Sequence, residues 1–466
     1  MNKIFSDLAD LLQNIIEPGD RERFLPWLFT WLGFIGVVIV FYFFGGIIWR
    51  GIFTNEILRN IVRIVWPFLV PIVLFKVLFE YYMEYIRADY IRKEGSVLLE
   101  IKIPKETNRS PLAMEIFFTS LYHTGSVHMI EAFWQGKIRA WFSMEIASID
   151  GKVHFYIWCW KKWRNLIEAQ LYAQYPNIEI HEAEDYTKSV YHDPEELPLW
   201  GTYFKLERPD VYPIKTYVDY GLDKPDLKEE YKIDPMTSVL EYLGSLKKGE
   251  QAWIQILMQC HRKEKLIDAE FFSFKTLFNL FKLKDDWKVE IDEEIEKIRE
   301  ESTPKHKNKE GEVIPGFPHP TPGEIETMKA LERSRDKLPF EVAIRGFYVA
   351  KKEVFNPIHI TGMVGSFRQY NSNNSNGFKL GWYTDTDEPW RDYKRKRRNF
   401  MEKEMLKAYK LRSFFWPPYR FFHAKPFILM TEELATIFHF PGGVAQTPTL
   451  ERILSKKSEP PANLPR

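Results

Sequence analysis

Residues 138–160 read IRAWFSMEIASIDGKVHFYIWCW. Apolar and polar side chains alternate on both sides of Asp150-Gly151, and an Asp-Gly pair between two such runs predicts a two-residue hairpin. Outward from it, VLLEIKIPK at 97–105 reads as a strand. PLAMEIFFTSLYHTG at 111–125 reads as a helix opened by Ser110 with Pro111 in its first turn. On the far side, KKWRNLIEAQLYAQYP at 161–176 carries a helical apolar stripe, and NIEIHEAE at 177–184 supplies a further strand. The order β-α-β-β-α-β between Ser96 and Asp185 is that of a ferredoxin-like split βαβ sandwich.

A similar order returns further along: strand Tyr203 to Arg208, helix Pro235 to Leu246 after an Asp234 cap, and strand Gln251 to Cys260. Strand Phe340 to Ala350, helix Asn356 to Tyr370 and a strand at Phe378 to Tyr383 complete it. The reading is an α+β protein with two tandem ferredoxin-like modules, at 96–190 and 200–385, the second carrying an insertion at 261–338. The insertion joins an aromatic patch, FFSFKTLFNLF, to a charged segment and a Pro/Gly/His/Lys-rich stretch that reads as a loop. Residues 386–466 hold a basic helix, the segment FILMTEELATIFHFPG and a linker-like tail.

Residues 1–95 read as a membrane anchor. No charge interrupts the 26 residues Phe24 to Trp49, long enough as a helix to cross a bilayer core of about 30 Å. A weaker apolar stretch at about 64–85 includes Lys76 and Glu80, four apart on one helical face, and ends in Tyr81, Tyr82 and Tyr85. The two stretches predict a transmembrane helical hairpin. Arg50, Arg59 and Arg63 fall in its loop, against Lys3, Arg21, Arg23, Arg87, Arg92 and Lys93 on the other side. That charge bias places the protein in the inner membrane with its C-terminal region in the cytoplasm.

Sixty-five basic and 64 acidic residues nearly cancel, so no chain-wide field points to nucleic acid. Cys159 and Cys260, both in apolar surroundings, read as buried reduced thiols. Phosphate-loop, dinucleotide, zinc-protease, CxxC and nucleophile-elbow motifs are all absent, which predicts neither catalytic residues nor a cofactor or metal. Two local features remain. Arg391, Lys394, Arg395, Lys396, Arg397 and Arg398 cluster near Trp390 and Tyr393, suiting DNA or anionic lipid, or forming a solvated face paired with Glu402 and Glu404. In TEELATIFHFP, Leu434, Ile437 and Phe438 have the spacing of an anchor helix that docks in a partner's groove or packs on its own module. The loop NSNNSNG at 371–377 could offer amides to a ligand or serve as a plain turn.

Longer strings carry a resemblance. SPLAMEIFFTSLYHTG, IEAQLYAQYPNIEIHEAEDY, GSFRQYNSNNSNGFK, TEELATIFHFPG and SEPPANLP follow one another from 110 to 465. In that order they resemble the pre-motor N-terminal region of membrane-associated ATPases of the type IV secretion and HerA/FtsK class, as found in candidate-phyla bacteria. In longer relatives a phosphate-loop motor follows a segment like SEPPANLP, and here the chain ends at Arg466. The resemblance implies a membrane-anchored platform without its motor: a non-enzymatic scaffold on which a separate phosphate-loop ATPase docks, or a free-standing paralogue. Candidate partners are that ATPase, the bilayer, DNA or anionic lipid, and a second copy in a homo-oligomer. The alternative is a nucleic-acid- or lipid-binding module that works without a motor, with Trp158 and Trp160 as strand aromatics able to face bases.

Overall fold

A computed structural model describes residues 56–104, 109–123, 129–224, 233–261, 287–303, 305–307, 313–315, 317–385, 392, 395–416, 424–442 and 452–453. The run Phe24 to Trp49, the patch FFSFKTLFNLF and the tail from 454 lie outside them. The first half consists of α1 (Glu56–Glu94), β1 (Ser96–Pro104), α2 (Leu112–Ser120), α3 (Met129–Trp134), β2 (Trp141–Ile149), β3 (Lys152–Trp160), α4 (Arg164–Gln174) and β4 (Glu179–Glu182). Next come β5 (Leu199–Leu206), α5 (Met236–Gly244), β6 (Glu250–Cys260), α6 (Trp287–Glu301), β7 (Lys305–Lys307), β8 (Val313–Pro315) and α7 (Pro322–Arg335). The rest is β9 (Pro339–Ala350), α8 (Ile358–Gly365), β10 (Phe378–Tyr383), α9 (Lys396–Lys410), β11 (Phe427–Met430), α10 (Thr431–Ile437) and β12 (Arg452–Ile453).

The β2–β3 hairpin turns through Asp150 at φ 54° and Gly151 at φ 82°, both in the left-handed region a tight hairpin needs. A side chain at 151 would also stand 2.4 Å from the Leu246 carbonyl oxygen. Asp150 fixes the turn on the neighbouring strand, its carboxylate accepting from Gly249 N–H at 2.7 Å.

Strand order runs β4-β1-β3-β2 in the first repeat and β6-β9-β5-β10 in the second. Each, read from its own first strand, is the order of a split βαβ sandwich. The repeats are not tandem bodies. Trp141–Ile149 of β2 pairs antiparallel with Gln251–Gln259 of β6, so one sheet runs through both, with a local twofold between those strands. β11 extends it beside β9, and β12 pairs parallel with the end of β1.

Helices α2, α4, α5, α8 and α10 cover one face, where Phe117, Leu171, Leu240, Met363 and Leu434 share a core with Ile146, Phe155, Ile256 and Ile344. The other face is covered by α9, whose Met405 and Tyr409 join Trp158, Trp253 and Phe347 in a second core. Gly201 on β5 admits α9 closely, since a Cβ there would lie 2.9 Å from the Met405 sulfur. Each large side chain so buried contributes roughly 1.5–3 kcal/mol by leaving water. Burial on both faces explains why β2 is buried along almost its whole length, although its sequence alternates.

The anchor expectation is overturned. The stretch at 64–85 is an internal part of the 39-residue α1, and no helix among the described residues is long and apolar enough to cross a membrane. Lys76, Glu80, Glu84 and Arg87 interrupt its apolar run, Met83 is buried, and Phe79 packs on Phe133 at 5.7 Å. The C-terminal half of this helix is therefore part of the folded body. The predicted transmembrane hairpin and the inner-membrane location that rested on it fall together, and the first stretch of that hairpin, 24–49, lies outside the described residues.

Candidate functional site

Strand register sets one polar row across the middle of the sheet. Tyr156 of β3 stands opposite Glu145 of β2, Glu145 opposite Gln255 of β6, Gln255 opposite Arg345 of β9, and Arg345 opposite Tyr203 of β5. Glu145, Gln255 and Arg345 are wholly buried beneath α9. A bare carboxylate or guanidinium there would cost several kcal/mol, so each needs partners from its own chain.

Glu145 has five. Oε1 accepts from Ser143 Oγ at 2.7 Å, Gln255 Nε2 at 2.9 Å and Arg412 Nε at 3.0 Å. Oε2 accepts from Tyr186 OH at 2.8 Å and Arg412 Nη2 at 3.1 Å. Arg412 also binds Asp185, whose carboxyl is held below the ordinary range by that guanidinium although burial works the other way. Burial raises the Tyr186 and Tyr409 hydroxyls far above the usual tyrosine range, and these lie 2.8 Å apart. Arg345 donates to Gln255 Oε1 and Ala408 O, each at 3.0 Å, and to Ser413 O, with its guanidinium 5.0 Å from the Tyr203 ring centre. Nothing in the row is left over to take a proton from a substrate. Its effect is to lock α9 onto the junction of the two repeats.

Arg412 shows the local cost of that lock. It sits at φ 49°, just past the end of α9, in the helix-ending position where glycine is usual. Ser413 N–H returns to Ala408 O at 3.1 Å. A non-glycine residue there costs about 1–2 kcal/mol. The guanidinium's bonds to Glu145 and Asp185 hold the residue in that conformation.

A second buried polar group surrounds α10. Glu115 accepts from Tyr217 OH and Lys337 Nζ, both at 2.6 Å, and Glu432 from Thr216 Oγ1 at 2.6 Å, with Arg333 Nε 3.2 Å away. Glu433 accepts from the N–H groups of Ile214 and Met430, both at 2.8 Å. Burial outweighs those donors and pushes the Glu433 carboxyl up to about 8, with Glu432 and Asp210 adding to the rise. Unfolded, this group titrates near 4.5, so between there and about 8 the folded state holds a proton the unfolded state has lost. Unfolding free energy must then fall as pH rises through that window, by up to about 1.4 kcal/mol per pH unit for one proton. Asp210 and Glu432, also raised by burial, act with the same sign. Urea unfolding from about pH 5 to about pH 8 tests this: Glu433→Gln lessens the slope, and an unchanged slope refutes the assignment.

The docking residues predicted from the sequence face inward. Leu434 and Phe438 are fully buried and Ile437 is 3% exposed, all in the helix-side core. The spacing is that of a core face, and no partner can reach it without unfolding the segment. His439 ties the same segment down, with Nε2 3.2 Å from Asp234 Oδ1 and Nδ1 2.8 Å from Ala435 O.

The basic cluster is partly spent. Arg391 and Lys394 lie outside the described residues. Arg398 pairs with Glu402 at 2.7 Å and Asp385 at 3.1 Å. Asp392 accepts from Arg397 N–H at 3.2 Å and Arg398 N–H at 2.8 Å, taking the place an external anion would use at the start of α9. Arg395 and Lys396 remain exposed. Asn376 of the Asn-rich loop is buried and clamps the backbone of Arg208, Pro209 and Tyr212, so that residue serves the fold. Trp158 and Trp160 are 7% and 1% exposed. Cys159 and Cys260 are free and buried, and burial pushes their thiols up to about 12 and about 11. Among the described residues no three His, Cys, Asp or Glu side chains are grouped to hold a metal ion.

Sequence reading missed the central row. The signal was there: Glu145, Gln255 and Arg345 are long polar residues set directly between apolar ones, in SMEIA, IQIL and AIRGF. Which of them would meet was set by strand order.

Two split βαβ units on one sheet, with a buried, hydrogen-bonded charged row at their junction, define an α+β domain whose central polar groups hold the fold together. The chain belongs to the family described as a domain of unknown function (DUF8128), whose model matches residues 84–452. Comparison with curated proteins finds no match.

Proposed function

We propose that the chain is a non-enzymatic scaffold that orients a separate phosphate-loop translocation ATPase. The observation that supports this is α1. At about 1.5 Å per residue its 39 residues extend roughly 58 Å, and Leu74, Leu78, Tyr81 and Tyr85 along it are 62–74% exposed. A rod with that much apolar surface, joined to a body locked by buried ion pairs, suits holding other chains in place. The class of partner comes from the resemblance to pre-motor regions of type IV secretion and HerA/FtsK-type ATPases. The reading as an anion- or nucleic-acid-binding module has weaker support, because Asp392 caps α9 and the strand tryptophans are buried.

Affinity purification of the tagged full-length chain from its own cells, with mass spectrometry and an ATP-hydrolysis assay on the eluate, tests the scaffold reading. The expected result is a co-purifying phosphate-loop ATPase and hydrolysis in the eluate. A chain that purifies without a nucleotide hydrolase overturns it, and nucleic acid released by raised salt would favour the other module.

A further inference from the structure

Leu74, Leu78, Tyr81 and Tyr85 follow one another at steps of four, three and four, and Ile64, Pro67 and Pro71 carry the same alternation toward the N-terminal end. All seven are exposed. The step averages 3.5 residues, the seam of a left-handed coiled coil. This seam is not the face that α1 turns to its own body. Met83, 6% exposed, and Tyr90, whose ring meets Trp160 at 5.9 Å, lie on the opposite side of the helix.

We propose that the seam is covered by the same seam of a second copy of this chain, antiparallel, with the twofold at Leu78. The inference deepens the scaffold reading by naming one of its partners, and it rests on that reading only in treating α1 as an assembly surface. Three features choose the arrangement. Reversal about Leu78 places Pro71 opposite the other copy's position 85 and Leu74 opposite its position 82, a tyrosine one residue past the seam's Tyr81. Bulky tyrosine then faces aliphatic or ring-constrained side chains, where a parallel pair would stack Tyr85 on Tyr85. Charge points the same way. Arg92, 81% exposed, continues the seam and would face Arg92 in a parallel pair, but meets position 64, an isoleucine, in the antiparallel one. Antiparallel pairing also sets the positive end of each helix dipole beside the negative end of the other.

The exposed surface is sufficient. Ile64, Leu74, Leu78, Tyr81 and Tyr85, with Val77 and Tyr82 flanking, would each bury on the order of 100 Å², giving roughly 700 Å² per copy against about 800 Å² for a standard interface.

Oxidative cross-linking and light scattering on the purified full-length chain test this without any ATPase present, so failure here is separate from failure of the scaffold reading. The native thiols are buried. Leu78→Cys is expected to form a disulfide-linked dimer. Tyr85→Cys alone is expected to stay unlinked, yet to link to Pro71→Cys when the two variants are mixed. Leu74→Glu with Leu78→Glu is expected to halve the mass while the circular dichroism of the body is retained. Linking by Tyr85→Cys alone overturns the antiparallel geometry. A monomeric wild-type chain whose Leu78→Cys thiol stays unlinked overturns the dimer, leaving the seam to another segment or another protein.

Discussion

Replacing Arg412 by methionine is expected to lower the unfolding free energy by about 3–5 kcal/mol, because it strips the buried Glu145 carboxylate of the cation that pairs with it at 3.0 Å. Asp185, with 23% of its side chain exposed, can recover water, but Glu145 has none to recover. Arg412→Met therefore leaves one uncompensated charge at the middle of the sheet. Removing both charges with Arg412→Met and Glu145→Met should cost less than the sum of the single variants, since an apolar pair carries no desolvation penalty. Urea unfolding of the wild type and three variants gives the coupling. Additive single effects would show that the row carries no joint energy. Retained far-ultraviolet circular dichroism in each variant keeps the comparison on folded protein.

The second large effect concerns α10. Phe438→Ala is expected to destabilise the fold by about 3–5 kcal/mol and Leu434→Ala by about 2–5 kcal/mol, the range for emptying a closed core site. Phe438 sits at ring-to-ring distances of 5.9 Å from Phe155 and 6.2 Å from Phe440, so its loss leaves a cavity that neighbouring rings cannot close. A docking helix behaves otherwise. There, both substitutions would leave the unfolding midpoint within about 0.5 kcal/mol of wild type and would only release a partner. Denaturant midpoints of the isolated variants decide between the two.

These predictions also mark where reading the chain worked and where it failed. The spacing of Leu434, Ile437 and Phe438 identifies a helix with one apolar side. Nothing in that spacing says whether the side is filled by the same chain or by another, because a core face and a docking face have the same period. The basic cluster posed the same difficulty. Pairing of Arg398 with Glu402, four residues on along α9, was legible in the sequence, whereas Asp385 approaches Arg398 only once β10 has turned back toward α9. For α1, hydropathy registered the apolar content of 64–85 correctly and its setting wrongly. Met83 and Phe79 are apolar because they pack on the body, while Leu74, Leu78, Tyr81 and Tyr85 are apolar and exposed, and an average along the chain merges the two sides.

Local chemistry alone accounts for the Asp150-Gly151 hairpin, the alternation of strand and helix in each repeat, and the lack of a nucleotide-binding motif, since turn geometry and side-chain period act over a few residues. Tertiary structure decided the rest. The pairing of β2 with β6 joins residues more than a hundred positions apart, and only that pairing places Glu145 beside Gln255, Gln255 beside Arg345, and all three under α9. Burial then changes their chemistry: a glutamate, a glutamine and an arginine become one hydrogen-bonded row, because away from solvent a charge is stable only where the fold brings it a partner.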